Sequence, residues 1–171
     1  EQQQKARAGF EHTADQLKDV LGEVRRISHD LRPAILDDLG LAAALDHLAQ
    51  EFSENCGMPV DFSAEGSTDG LPDVANTVLF RIAQESLTNI ERHAHAHRVD
   101  MTLARAGTTI TLTVRDDGNG FDPQRVALHP KRGIGLRNMM ERMEAIGGVL
   151  TIDSSSQGTR VVASIDLKEH A

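Results

Sequence analysis

Cysteine, long apolar stretches and positive charge are all scarce in this 171-residue chain. Cys56 stands alone, so no disulfide can form within the chain, which is consistent with a reducing compartment; its simplest role is that of a small core filler. No apolar run approaches the ~20 residues of a membrane-spanning helix, and no signal-peptide pattern is visible. Lysine and arginine number 18 against 26 aspartates and glutamates, a formal net charge of -8 that argues against a nucleic-acid surface. That balance does not exclude a phosphate-bearing ligand, because local donors and a cation, not net charge, would receive it. There is no repeat and no low-complexity tract. The length suffices for one well-packed domain plus an appendage.

Against this background one stretch stands out, Val114-Arg115-Asp116-Asp117-Gly118-Asn119-Gly120-Phe121. The residues before it, Thr109 to Val114, alternate apolar and hydroxyl side chains with the period of a half-buried strand, so the strand delivers Asp116 to a fixed place. Gly118 and Gly120 allow another group to approach the main chain closely. Taken alone, the pattern is also that of an ordinary hairpin turn.

Two further segments shift the balance. Phe80 to Ala94 reads as a helix with an apolar stripe at Leu79, Ile82, Ala83, Ser86, Leu87, Ile90 and Ala94. Beside the stripe, Glu85, Asn89 and His93 stand at i, i+4 and i+8, a polar line suited to a hydrated divalent cation and the phosphates it neutralises. A solvated helix face would explain the glutamate and the histidine, but asparagine is a poor helix-interior residue. Further on, Gly133-Ile134-Gly135-Leu136 opens an amphipathic helix whose Met139, Met140, Met143 and Ile146 form a core stripe. The unpaired N–H groups at such a start suit an anion. This is neither a Rossmann nor a Walker loop: it does not follow a strand directly and lacks Gly-Lys-Ser/Thr.

The ordered set Glu85/Asn89/His93, Asp116-x-Gly118-x-Gly120, Gly133-x-Gly135-Leu136 and Gly158-Thr159 resembles the N box, the two glycine boxes and the closing Gly-Thr of the Bergerat-fold ATPases. That group includes gyrase, MutL, the heat-shock chaperone and the histidine kinases. Upstream, Glu23 to Leu45, with Ser28-His29-Asp30-Leu31-Arg32-Pro33, resembles the end of the dimerisation region in the sensor histidine kinases that pair with nitrate-regulator-type response regulators. The resemblance implies an α+β fold: a two-layer α/β sandwich with a mixed, mainly antiparallel sheet, preceded by a long dimerisation helix.

It also implies roles. Asp116 accepts the adenine exocyclic amine, Gly118 and Gly120 keep the wall beside it open, and Thr159 bonds the adenine side directly or through water. Asn89 is the magnesium ligand, and Glu85 orients the incoming nucleophile or polarises water, which makes Glu85 and Asn89 the catalytic pair. His93, with Arg92 beside it, contacts phosphate; Gly133, Gly135 and Leu136 frame the triphosphate, with Lys131 and Arg132 as lid charges. ATP and magnesium are the expected cofactors. Asp117 departs from the family pattern, standing where many relatives have asparagine, and the difference is expected to be tolerated.

Residues 1–32 are expected to form the second helix of an incomplete dimerisation region, and residues 33–171 the ATP-binding domain. The first stripe runs Phe10, Ala14, Leu17, Val20, Leu21, Val24, Ile27 and Leu31, and Pro33 ends it. His29 is not expected to be the phosphoryl acceptor, because Leu31-Arg32-Pro33 follows where the acceptor motif would continue as helix. The acceptor is expected on a first dimerisation helix outside this chain. The implied partners are a response regulator with helix-turn-helix output and a second copy of the full-length protein. No direct nucleic-acid binding is expected, and any membrane attachment would run through segments outside the chain, which places this portion in the cytoplasm. A hydrolytic Bergerat ATPase and a nucleotide-sensing interaction module or pseudokinase are the alternatives.

Overall fold

The structure, a computed structural model, describes residues 34–68, 70–123 and 133–170. The expected helix over residues 1–32 and the lid charges Lys131 and Arg132 lie outside the described residues. Ile35–Ala171 makes one compact unit.

Its first helix, α1, spans Ala34–Cys56 and is broken at Gly40, whose φ of 77° and ψ of 175° are not helical. Helical residues begin directly after Pro33, because proline restrains the residue before it rather than the one after. Beyond the break, Leu41, Leu45, Ala49 and Phe52 recur at steps of four and three and are all buried. Ser53, near the end of α1, accepts the Val60 N–H at 3.0 Å through its hydroxyl and so ties the helix to the strand that follows.

Five strands form one sheet in the order β1-β2-β3-β5-β4: β1 Val60–Glu65, β2 Val99–Ala106, β3 Thr109–Asp116, β4 Val149–Ser155 and β5 Gly158–Asp166. β1 runs parallel to β2, and the other pairings are antiparallel, which gives the mixed, mainly antiparallel sheet expected. Alternation decides which face is covered. Met101 and Leu103 of β2, Ile110, Leu112 and Val114 of β3, and Val161, Ala163 and Ile165 of β5 are buried, while Thr111, Thr113 and Arg115 face the other way. Helix α2, Asp73–Asn89, lays Leu79, Ile82, Ala83 and Leu87 against β3 and β5, and α3, Ile134–Glu144, packs on β4 and α2.

β3 ends and β5 begins at the same edge of the sheet, with Arg115 opposite Arg160. Asp116 is the next residue on the buried face after Val114, so the alternation that builds the core carries an acid into its margin.

Candidate functional site

Helix α2 supplies one wall. Glu85 and Asn89 lie one turn apart, and Asn89 Nδ2 donates to Glu85 Oε1 at 3.3 Å. The amide nitrogen is therefore committed to the carboxylate, which leaves the amide oxygen as the group available to a cation. After Asn89 the helix does not continue as read from the sequence: Ile90–Ala94 is a π-helical turn that ends at His95 in left-handed backbone, φ 52° and ψ 38°. A π turn holds one more residue than an α turn, so it resets the sideways drift of an i, i+4, i+8 series. Arg92 and His93 are exposed on this turn and border the same cavity as Glu85 and Asn89.

The sheet edge supplies the floor. Asp116 is only 4% exposed, and its Oδ1 accepts the N–H groups of Gly118 at 2.8 Å and Thr159 at 3.3 Å. Oδ2 receives no hydrogen bond among the described residues and is the acceptor left for a ligand. Burial pushes the Asp116 carboxyl up from its ordinary value, opposed by the two N–H bonds. Its neighbour has a different task. Asp117 Oδ1 accepts the N–H groups of His97 at 2.7 Å and Arg98 at 3.1 Å, which hold its carboxyl below the usual value and fix the approach to β2. Only acceptor capacity is used, and an asparagine oxygen has it too, which is the physical reason that the departure at Asp117 leaves the arrangement intact.

The glycines are required by close approach. A side chain at Gly118 would place a Cβ 2.3 Å from the Ala94 carbonyl oxygen, and Asn119 N–H donates to that oxygen at 2.8 Å, so this loop is clamped to the end of the π turn. At Gly120, with φ 60°, a Cβ would meet the Ser155 carbonyl oxygen at 1.9 Å.

Helix α3 supplies the remaining wall. Gly133 caps it in left-handed backbone, φ 77° and ψ 14°, and accepts the Arg137 N–H at 3.0 Å. Its first N–H groups have no intrahelical partner, as at any helix start, and this end opens on the cavity. A Cβ at Gly135 would lie 1.9 Å from Glu85 Oε1, so the two walls meet through a carboxylate packed on a bare backbone.

These walls enclose a cavity of about 720 Å³. Glu85, Asn89, Arg92, His93, Asp116, Gly120, Gly133, Gly135, Leu136 and Thr159 all line it, whereas Gly118 does not and instead braces the loop beneath. The lining also includes Ser86, Ile90, Val114, Phe121, Met139 and Val161, which the motif reading assigned no site role. Val114 and Val161 were accessible to it, since each lies two residues from Asp116 or Thr159 on the same strand face. Met139 serves core and cavity at once, with its sulfur 3.9 Å from the buried Ser86 hydroxyl. A separate concavity of about 700 Å³ at the same sheet edge is lined by Arg115, Asp153, Gln157 and Arg160 along with Asp116 and Thr159. It contains none of the α2 or α3 residues.

A two-layer sandwich with an apolar cleft, an acid at the end of a sheet strand, an amide–carboxylate pair on a facing helix and a glycine-capped helix start defines an ATP-binding domain of the Bergerat type. The chain belongs to the family described as histidine kinase-, DNA gyrase B- and HSP90-like ATPases, whose model matches residues 75–169. It is 46% identical over 147 residues to the sensor histidine kinase MctS of Rhizobium johnstonii, covering 86% of this chain and 32% of that protein. It is 37% identical over 153 residues to the signal transduction histidine-protein kinase/phosphatase DegS of Brevibacillus brevis, covering 88% of this chain and 39% of that protein. The chain thus spans about a third of the length of these curated relatives.

Among solved structures, the histidine kinase domain of the Erythrobacter litoralis blue-light activated histidine kinase superposes with a TM-score of 0.60 at 24% identity, over 75% of this chain and 66% of that one. The Acinetobacter baumannii histidine kinase AdeS superposes with a TM-score of 0.65 at 14% identity, over 92% and 83%. At these identities the structural likeness establishes the fold. Among the described residues no helix is long and apolar enough to cross a membrane.

Proposed function

We propose that the chain is the ATP-binding catalytic part of a sensor histidine kinase of the subgroup that pairs with nitrate-regulator-type response regulators. The observation that carries this reading is one cavity bordered by both the Glu85–Asn89 pair and the Asp116 carboxylate, in a chain whose relatives are named sensor histidine kinases.

In this reading Asp116 Oδ2 accepts the adenine amine and Thr159 completes the base edge. The donor set near Asn89 suits magnesium: a single amide oxygen already oriented by Glu85, with room for phosphate oxygens and waters. Bound magnesium would neutralise phosphate charge. Arg92 and His93 add positive donors, and the α3 start, from Gly133 to Leu136, cradles phosphate oxygens. Lys131 and Arg132 serve as lid charges. Glu85 orients the imidazole nitrogen that takes the γ-phosphoryl group as the bond to the ADP oxygen breaks. Catalysis is then mostly positioning and charge neutralisation. The acceptor is a histidine of a dimerisation helix and not His29, and the phosphoryl group passes on to a response-regulator aspartate. The full-length protein works as a homodimer in the cytoplasm, reaching a membrane only through other segments.

The test is transfer in trans. The chain, magnesium and γ-labelled ATP are mixed with a protein carrying the acceptor dimerisation helix of the same subgroup. Acid-labile label should appear on that protein and not on this chain. Label on this chain that vanishes in His29→Gln would overturn the acceptor assignment. Release of free phosphate without transfer would turn the reading to a hydrolytic ATPase.

A further inference from the structure

We infer that Ser154 is a positioning residue that fixes the Thr159 hydroxyl as a proton donor toward the base, and so helps set which purine the cavity accepts. The inference rests on the adenine reading above. Ser154 belongs to none of the sequence motifs. It lies on β4 directly opposite Thr159 of β5. Its Oγ receives the Phe121 N–H at 2.8 Å and stands 2.9 Å from Thr159 Oγ1. Through Ser154 of β4, which lines the neighbouring concavity, the network joins two segments that border the cavity: the loop after β3 and the start of β5, whose Thr159 N–H in turn donates to Asp116.

Proton counting gives the network a direction. A backbone N–H can only donate, so Ser154 Oγ is the acceptor in its bond with Phe121. A hydroxyl has one proton and two lone pairs, which leaves two polarities for the contact with Thr159. If Thr159 donated, the proton of the half-buried Ser154 would have no acceptor among the described residues. If Ser154 donates, the bonds run in one sense, each accepted bond strengthening the next donation, and the unspent proton is that of Thr159, which borders the nucleotide cavity as Ser154 does not. The Thr159 proton is then left for the cavity.

Asp116 Oδ2 offers an acceptor beside that donor. The adenine edge presents an amine donor next to a ring-nitrogen acceptor, and so complements the pair. Hypoxanthine presents a carbonyl acceptor next to an N–H donor and opposes it at both positions. A site built to hydrogen-bond one edge rejects the reversed edge because its own polar groups are left unpaired. Without Ser154 the Thr159 hydroxyl rotates freely and can accept as well as donate, so part of the rejection is lost.

The experiment measures dissociation constants of ATP and of inosine triphosphate, both with magnesium, for the wild-type chain and its variants. The wild type should prefer ATP. Ser154→Ala should narrow that preference about five- to tenfold, as one oriented hydrogen bond would. Ser154→Cys, which keeps the volume but donates weakly, should do the same, and Ser154→Thr should retain the wild-type ratio. In a Thr159→Val background, Ser154→Ala should leave the ratio unchanged. Equal weakening of both nucleotides, or an unchanged ratio, in Ser154→Ala and Ser154→Cys would overturn the inference while leaving the ATP reading intact. A wild type that binds neither nucleotide would overturn the reading and the inference with it.

Discussion

Asp116→Asn exchanges one oxygen of a buried carboxylate for an NH₂ group, and the surrounding bonds decide which one. Oδ1 holds two N–H donors, from Gly118 at 2.8 Å and Thr159 at 3.3 Å, and an amide NH₂ in that position would face them donor to donor. The asparagine oxygen therefore takes the Oδ1 place, and its NH₂ group takes the place of Oδ2. The loop and the sheet edge stay as they are, but the cavity now presents a donor to the adenine amine. A hydrogen bond to a charged group is worth about 1.5–3 kcal/mol, so ATP affinity should fall about 10- to 150-fold. Titration calorimetry with ATP and magnesium reads the loss, and thermal unfolding reads the fold. Because burial raises the Asp116 carboxyl above its ordinary value of 3.8, wild-type affinity should also decline as pH falls through that raised value, with the variant's weaker binding showing no such step. The sign for stability is opposite: protonation of Asp116 favours the folded chain below 3.8, and that contribution is lost as pH rises through the folded value. A folded Asp116→Asn chain with unchanged ATP affinity would remove Asp116 from the adenine contact.

Other substitutions separate the parts of the site. Asn89→Ala should weaken ADP binding in magnesium much more than adenosine binding, because the amide oxygen serves the cation and Asp116 the base; equal losses with and without magnesium would remove Asn89 from the cation site. Gly135→Ala puts a Cβ 1.9 Å from Glu85 Oε1, a flexible side-chain end that can move, so thermal stability should hold or rise by up to about 1 kcal/mol while phosphotransfer drops. Retained transfer would show that the Glu85 position is not needed. Asp117→Asn should keep its two accepted N–H bonds and the fold. The pH dependence should change, since the depressed carboxyl stabilises the fold above 3.8 and that stability is lost as pH falls through the folded value. Acid titrations of wild type and variant that coincide would count against that role.

β3 was readable because its alternation is strict: the period seen from Thr109 to Val114 continues through the strand to Asp116, and the same period that buries Val114 delivers Asp116. The helix from Phe80 was readable as apolar spacing, but its π turn was not, since one extra residue in a turn leaves no mark on a stripe already ending at Ala94. Glycine motifs announce that something approaches closely without saying what. Gly118 meets the Ala94 carbonyl, Gly135 meets Glu85, and both are contacts within the chain. Gly158 is the clearest case, with φ 113° and a Cβ that would fall 2.0 Å from the Asp116 carbonyl oxygen. Ser154 was invisible for a different reason. Its significance comes from register across β4 and β5 and from a loop more than thirty residues away in sequence, and a serine in a strand carries no signal of either.

The central claim is that one cavity holds the base at Asp116 and the cation at Asn89, and a crystal structure of the chain with a non-hydrolysable ATP analogue and magnesium tests it most directly. The adenine amine should lie within hydrogen-bond distance of Asp116 Oδ2, the Asn89 amide oxygen on magnesium, and phosphate oxygens at the N–H groups that begin α3. A nucleotide seated instead in the concavity of Arg115 and Arg160, or a magnesium ion with no contact to Asn89, would contradict it.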